Sequence, residues 1–449
     1  MTTGGFIATV YLLFGLFCLV VQTACSVDNG VGLTPPMGWR SWNCFGADVS
    51  QEKMTNIMDA MADKSRVDVV TGNGSISLLD VGYNNCGLDD NWQACGAGPQ
   101  DSFNDENGAP LINTTTFPDM KAMTDHGHSL GLRVGWYMNN CICRENKLKG
   151  DDFVEKVWAG SANAVASYGF DGVKLDGCGQ FLNLTKWAIL LNQTGRPILI
   201  ENCHWGFTSP DNGAKEVETG ADGIVFPSQS NGPCDGTKSP SDCPYNFYRT
   251  SVDIQGNWNS MISNLQSVVK YVNHDPPLSR PGAWAYPDML EVGNWHATFT
   301  EDRAHFGAWC ISSSPLVLGF DLTNKTTMDR VWSIVANREL IAVNQAWHGS
   351  PGILVKKASK SSLFGRPIYQ VWSKPVGSSM VAVYLLNNDA PGNERDITFK
   401  LADVGVPASA TDVSIRCLYE HKDLGKVSGS TFTAKGIQGH DSRFFRLSW

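Results

Sequence analysis

The sequence predicts an α/β domain built on a parallel sheet, followed by a smaller antiparallel β domain. From about residue 33 to residue 345, helical patterns that stop at a glycine alternate with short apolar runs. That is the order expected of β/α units on a buried parallel sheet. After about Pro351 the helical patterns end, and short strand-like runs are separated by turn clusters. At roughly 300 residues the first region suits a (β/α)8 barrel, and a doubly wound sheet shares its grammar.

The elements follow in order. Met54, Ile57, Met58 and Met61 fall at i, i+3, i+4 and i+7 behind Ser50, which predicts an amphipathic helix with a serine cap. Residues 83–90 form a run ending in acids. A helix through Met120 and Met123 stops near Gly131, and residues 132–138 read as a strand. A further helix begins near Asp152 and stops at Gly169, before a strand over 172–176; residues 197–203 read as another buried strand. Residues 212–246 are rich in Gly, Pro and Ser and predict a long surface loop closed by a Cys234–Cys243 disulfide. A zinc site there would want more Cys and His than the segment offers. Beyond a boundary near 350, strand candidates lie at 368–372, 380–386, 397–401, 413–419, 431–433 and 443–447, an antiparallel sandwich of about 100 residues.

Residues 6–21 are apolar and are followed by Thr23-Ala24-Cys25-Ser26, which predicts a signal peptide over 1–26. Its 16 apolar residues are short for a membrane span, so no stable membrane insertion is expected after cleavage. Of 13 cysteines, 11 would remain, a usage typical of an oxidising compartment, and the odd number predicts a free thiol. Asn73, Asn113, Asn183, Asn192 and Asn324 open N-x-S/T sequons. The expected destination is therefore outside the cell, or the lysosome or vacuole. A composition of 42% hydrophobic residues indicates a globular chain. The net charge of −9 argues against nucleic acid, whose binding needs a positive surface.

Acids and their polar neighbours gather where strands should end: Asp89-Asp90, Lys174 with Asp176, Cys203-His204-Trp205, Asp253 after Arg249, and Asp288-Met289 before Glu291. In a β/α barrel these ends form the functional face. Single acids there often cap helices, but several together are harder to explain that way. Lys174 and Asp176 share a strand face, so the cation favours an ionised Asp176, although the same spacing fits a plain ion pair. Trp39, Trp42, Trp92, Trp136 and Trp205 lie nearby and offer aromatic faces for a sugar ring, or simply fill core.

The residues also resemble a known family. The series runs Leu33-Thr-Pro-Pro-Met-Gly-Trp39-Arg-Ser-Trp42-Asn, Leu88-Asp89-Asp90-Asn91-Trp92, Gly135-Trp-Tyr137, Val173-Lys174-Leu-Asp176-Gly-Cys178 and Asn202-Cys203-His204-Trp205-Gly206. It continues through Arg249-Thr-Ser-Val-Asp253-Ile, Pro281-Gly-Ala-Trp284, Pro287-Asp288-Met289-Leu290, Ser314-Pro-Leu-Val-Leu-Gly319 and Ile341-Ala-Val-Asn-Gln345. In this order it resembles glycoside hydrolase family 27, the α-galactosidases and α-N-acetylgalactosaminidases.

The resemblance implies a (β/α)8 TIM barrel over 27–350, a C-terminal antiparallel β domain over 351–449, and a retaining glycosidase that needs no cofactor or metal. It implies Asp176 as nucleophile and Asp253 as acid/base, with carboxyl groups roughly 5–5.5 Å apart. Asp89 and Asp90 match the pair that grips O4 and O6 of galactose. Trp39, Tyr137, Lys174, Cys203, Trp205, Arg249, Asp288 and Met289 match other sugar contacts. A disulfide is implied between Cys178 and either Cys141 or Cys143.

Three departures stand out. Asn91 replaces the family's usual cysteine, leaving Cys44 to pair with Cys86 or Cys95. Trp284-Ala-Tyr286-Pro departs from the usual W-N-D-P and is expected to alter one pocket wall. His204 stands where the family reads the sugar's 2-substituent. The expected activity is hydrolysis of terminal α-D-galactosyl residues. The alternatives are an α-N-acetylgalactosaminidase, a β-L-arabinopyranosidase, or a non-catalytic galactose-binding lectin; a homodimer is also an expectation.

Overall fold

Eight short parallel strands form the first sheet of the computed structural model, which describes residues 29–138, 141–143, 148–206, 217–219, 225–227, 243–294, 297–361 and 365–449. Residues 1–26, Cys234 and most of the 212–246 segment lie outside the described residues. The strands are β1 (Met37–Arg40), β2 (Asn85–Gly87), β3 (Arg133–Met138), β4 (Gly172–Asp176), β5 (Leu199–Cys203), β6 (Phe247–Arg249), β7 (Trp284–Tyr286) and β8 (Leu316–Leu318). Their order in the sheet is β7-β6-β5-β4-β3-β2-β1-β8. A parallel bridge between Leu290 and Leu318 joins the two ends, and the Leu290 N–H donates to the Val317 carbonyl at 2.7 Å. Strands follow one another in sequence order around a closing ring, which decides for a barrel over a doubly wound sheet.

Helices alternate with these strands, and most of them open with a side-chain cap and present one apolar face to the barrel. In α1 (Gln51–Ala62) the Ser50 side chain accepts from the Lys53 N–H, and Met54, Ile57, Met58 and Met61 are the buried positions, as their spacing predicts. Asp119 caps α2 (Met120–Ser129) in the same way. The others are α3 (Asp151–Ser167), α4 (Leu184–Gln193), α5 (Trp258–Ser267), α6 (Phe299–Ile311), α7 (Lys325–Val335) and α8 (Arg338–Gln345). Helix α6 opens with a reciprocal capping box between Thr298 and Glu301 and is buried along most of its length.

Neighbouring helices α5, α7 and α8 cover part of α6, and the second domain covers another part. A six-stranded sheet has the order β9 (Ile353–Lys357), β10 (Tyr369–Gly377), β11 (Met380–Asn387), β16 (Asp441–Ser448), β13 (Ser414–Cys417), β14 (Lys422–Lys426), and a two-stranded sheet pairs β12 (Arg395–Lys400) with β15 (Thr431–Ile437). Strand β11 is apolar on both faces. Val381, Val383 and Leu385 enter the core between the two sheets, while Ala382, Tyr384 and Leu386 join the barrel's core. The Tyr384 hydroxyl donates to the Ala304 carbonyl of α6 at 2.7 Å.

The cysteines meet one expectation and depart from another: Cys178 is bonded to Cys141, one of its two implied partners, whereas Cys44 is unpaired. Cys95 bonds to Cys143 and Cys141 to Cys178, while Cys44 and Cys86 are both free. Cys44 therefore takes neither expected partner: Cys95 is committed to the loop after β3, and Cys86 is fully buried within β2.

Candidate active site

A cavity of about 460 Å³ opens at the carboxyl ends of the barrel strands. Its wall includes Asp89 and Asp90 beyond β2, Tyr137 of β3, Lys174 and Asp176 of β4, Trp205 beyond β5, Arg249 and Asp253 at and beyond β6, and Asp288 and Met289 beyond β7. The structure thus brings together ten of the residues singled out in the sequence.

Asp176, the last residue of β4, is buried. Its Oδ1 accepts the Gly177 N–H at 2.9 Å, its Oδ2 accepts the Tyr137 hydroxyl at 3.0 Å, and Lys174 Nζ lies 3.8 Å from Oδ2. Burial pushes its carboxyl up to about 6, with Lys174 pulling the other way. Lys174 is closer to Asp89, at 2.9 Å. Arg40 completes the cluster, 2.6 Å from Glu201 and 3.8 Å from Asp89. Two buried cations therefore serve three acids, and Asp176 receives the smaller share.

Asp253 is differently placed. Its side chain is 59% exposed, and its Oδ1 accepts from Arg249 Nη2 at 2.9 Å and Trp205 Nε1 at 3.0 Å. Burial opposes ionisation, but Arg249 and Lys174 prevail and hold the carboxyl below the usual range. Arg249 is itself buried; it also lies 2.9 Å from Asp288 and donates to Cys203 Sγ at 3.2 Å. Asp90 is gripped by four donors. The N–H groups of Cys141 and Ile142 meet Oδ2, and the Asn91 N–H and Gln93 Nε2 meet Oδ1.

Backbone strain gathers here. Asn91, Trp205 and Asp288 adopt φ of 81°, 48° and 84°, conformations that cost non-glycine residues about 1–3 kcal/mol each and recur at functional sites. Asp288 is locked by accepting the Ile254 and Met289 N–H groups, both at 2.8 Å.

Three expected contacts are not on the wall. Trp39, Cys203 and His204 are each 1% exposed. Trp39 lies inside β1 with its Nε1 donating to the Phe320 carbonyl at 2.8 Å; the aromatic wall on that side is Trp42, which sits past the strand's end and is 38% exposed. Cys203 lies behind Arg249. Tyr286 is also fully buried, edge-on to Phe247, so that sequence departure falls beneath the cavity and not on its wall. The sequence reading gave no role to Asn43, Gln255 or Glu291, which line the cavity, nor to buried Arg40 and Glu201. Asn43 donates to Glu291, whose carboxyl burial pushes up to about 7. A charged residue inside a mostly apolar strand, as Arg40 and Glu201 are, is the signal that could have found them, but burial is not visible in a sequence.

Among the described residues, the group of donors close enough to hold a cation is Cys141, Asp176 and Cys178. Its two cysteines are bonded to each other, so it offers no thiolate ligand. What the cavity does offer is paired carboxyl groups in unlike environments, indole faces and a dense set of donors and acceptors, an arrangement suited to acid/base and nucleophilic work on a polyhydroxylated ring.

Comparison with known proteins agrees. The family model described as alpha galactosidase A matches residues 34–219 and 234–346, and that of the alpha galactosidase C-terminal beta sandwich domain matches residues 368–447. The chain is 31% identical to an alpha-galactosidase of Cyamopsis tetragonoloba, covering 94% of this chain and 88% of that protein. It is 31% identical to one of Coffea arabica, covering 94% and 95%. The crystal structure of alpha-galactosidase I from Mortierella vinacea superposes with a TM-score of 0.71 at 25% identity, covering 94% of this chain and 98% of that one. A β-L-arabinopyranosidase from Geobacillus stearothermophilus shares the fold, with a TM-score of 0.69 at 19% identity over 93% and 97% of the two chains. The chain belongs to the α-galactosidase family, glycoside hydrolase family 27, and is a glycoside hydrolase.

Proposed function

We propose that the enzyme removes terminal α-D-galactosyl residues from oligosaccharides or glycoconjugates by a retaining, double-displacement route. The observation that carries this reading is the pair of cavity carboxyls held by different donors: Asp176 deep at the end of β4, Asp253 nearer solvent beside Arg249. Asp253 protonates the glycosidic oxygen as Asp176 attacks the anomeric carbon, and the leaving alcohol departs. Asp253 then takes a proton from the water that cleaves the glycosyl ester on Asp176. Asp89, Asp90 and Lys174 receive the sugar's hydroxyls, and Trp42 and Trp205 cover its apolar faces.

The working form of the pair carries one proton, on Asp253. Asp176 holds a proton more firmly, because at Asp176 burial outweighs Lys174, while at Asp253 Arg249 and Lys174 outweigh burial. A bound sugar excludes water from Asp253 and shifts the balance toward that working form. The same reading takes residues 1–26 as a signal peptide and the mature enzyme as secreted or carried to a lysosome or vacuole. Among the described residues no helix is long and apolar enough to cross a membrane.

Nitrophenyl α-D-galactoside, α-N-acetylgalactosaminide and β-L-arabinopyranoside test the reading side by side. The α-galactoside is expected to be cleaved fastest, and no hydrolysis of it overturns the assignment.

A further inference from the structure

Among the described residues the C-terminal domain contributes no side chain to the cavity, yet it carries the seat of the acid/base loop. The loop runs from Asp253 through Ile254, Gln255 and Gly256 along the cavity wall and ends where α5 begins, at Trp258. Trp258 is buried. Its indole lies flat on the imidazole of His440, with ring centres 4.3 Å apart and planes 15° apart. Its Nε1 donates to Asn388 Oδ1 at 2.8 Å. Both partners belong to the C-terminal domain.

His440 is itself fixed from two further directions. Its Nδ1 lies 2.8 Å from Glu301 Oε1 at the start of α6, and its N–H donates to the Asn387 carbonyl at 2.9 Å. Its φ of 61° is left-handed, a conformation that a non-glycine residue keeps only when its surroundings hold it there. The loop between Trp258 and Asp253 has little slack. The Gln255 N–H donates to Ser260 Oγ at 2.8 Å, the Asn257 N–H to the Gln255 carbonyl at 2.6 Å, and the Ile254 N–H to Asp288 at 2.8 Å. A shift at Trp258 therefore reaches Asp253, whose two side-chain donors both meet the one oxygen Oδ1.

We propose that His440 is a positioning residue for the acid/base, so that the C-terminal domain takes part in catalysis through the Trp258–His440 stack. The proposal rests on the reading of Asp253 given above.

The test compares a substrate that needs protonation of its leaving group with one that does not: methyl α-galactoside against a dinitrophenyl α-galactoside. His440→Ala is expected to lower kcat/KM on the methyl glycoside about tenfold or more, and on the dinitrophenyl glycoside less than about threefold. His440→Phe keeps a ring for Trp258 and should restore most of the loss. Arg416→Gln breaks a separate link between the domains, the 2.7 Å pair with Glu339; it should lower Tm without splitting the two substrates. If His440→Ala does not fold, Trp258→Phe removes the bond to Asn388 and should show a smaller split in the same sense. An equal fall on both substrates, no fall, or a Phe variant no better than Ala overturns the proposal. Asp253→Ala separates the two ideas. If it shows the split and His440→Ala does not, only the positioning role fails. If Asp253→Ala shows no split, the acid/base assignment itself fails.

Discussion

Asp176 and Asp253 share a cavity but lean opposite ways, and this gives the pH profile a definite form. The coupled pair titrates in two steps, the lower below the usual carboxylate range and the upper near 6. The active form has one proton, so kcat/KM should be bell-shaped, falling as pH rises through about 6 and again at low pH. Lys174 opposes the burial of Asp176, so Lys174→Met should raise the upper limb as well as weaken activity. A limb that stays in place would mean the titrating group is not the Asp176 pair. Asp176→Ala should cut kcat by several orders of magnitude with any leaving group, since it removes the attacking oxygen. Retention of measurable wild-type turnover would remove Asp176 from the mechanism.

At the scale of elements, caps tie the barrel helices to their surroundings. Asn337 is buried; its side chain accepts the N–H groups of Glu339 and Leu340 at the start of α8 and donates to the Leu418 carbonyl of the other domain at 2.9 Å. Asn337→Ala leaves these groups unpaired, at a cost of about 1–3 kcal/mol. Urea unfolding measures it, and an unchanged midpoint would show that the cap is dispensable. The same scale shows what the sequence made legible. Helix α1 and strand β4 were readable because apolar spacing and burial coincide. Strands β6, β7 and β8 are three residues each, too short for a period to show. Strands β9 and β14 went unread for another reason: they are the edges of the six-stranded sheet, and their lysines oppose edge pairing while hiding the strand pattern. The site was legible as a set of acids at strand ends, while the choice between Trp39 and Trp42 depended on where β1 stops.

Across the whole molecule, the two domains share one continuous apolar core. Ala304, Phe306, Ala308 and Trp309 of α6 are completely buried, and Tyr384 and Phe444 of the second domain belong to the same continuous core. Lys374, also buried, donates across the boundary to the carbonyls of Val343 and Asn344 at the end of α8. A chain ended near residue 350 would expose that apolar surface and leave the last turn of α8 without its donor, so a soluble, cooperatively melting barrel is not expected. Expression of the truncated chain, followed by thermal melting of any soluble product, checks this. A truncated barrel that melts cooperatively and keeps wild-type kcat/KM would show that the second domain supports neither the fold nor the loop that carries Asp253.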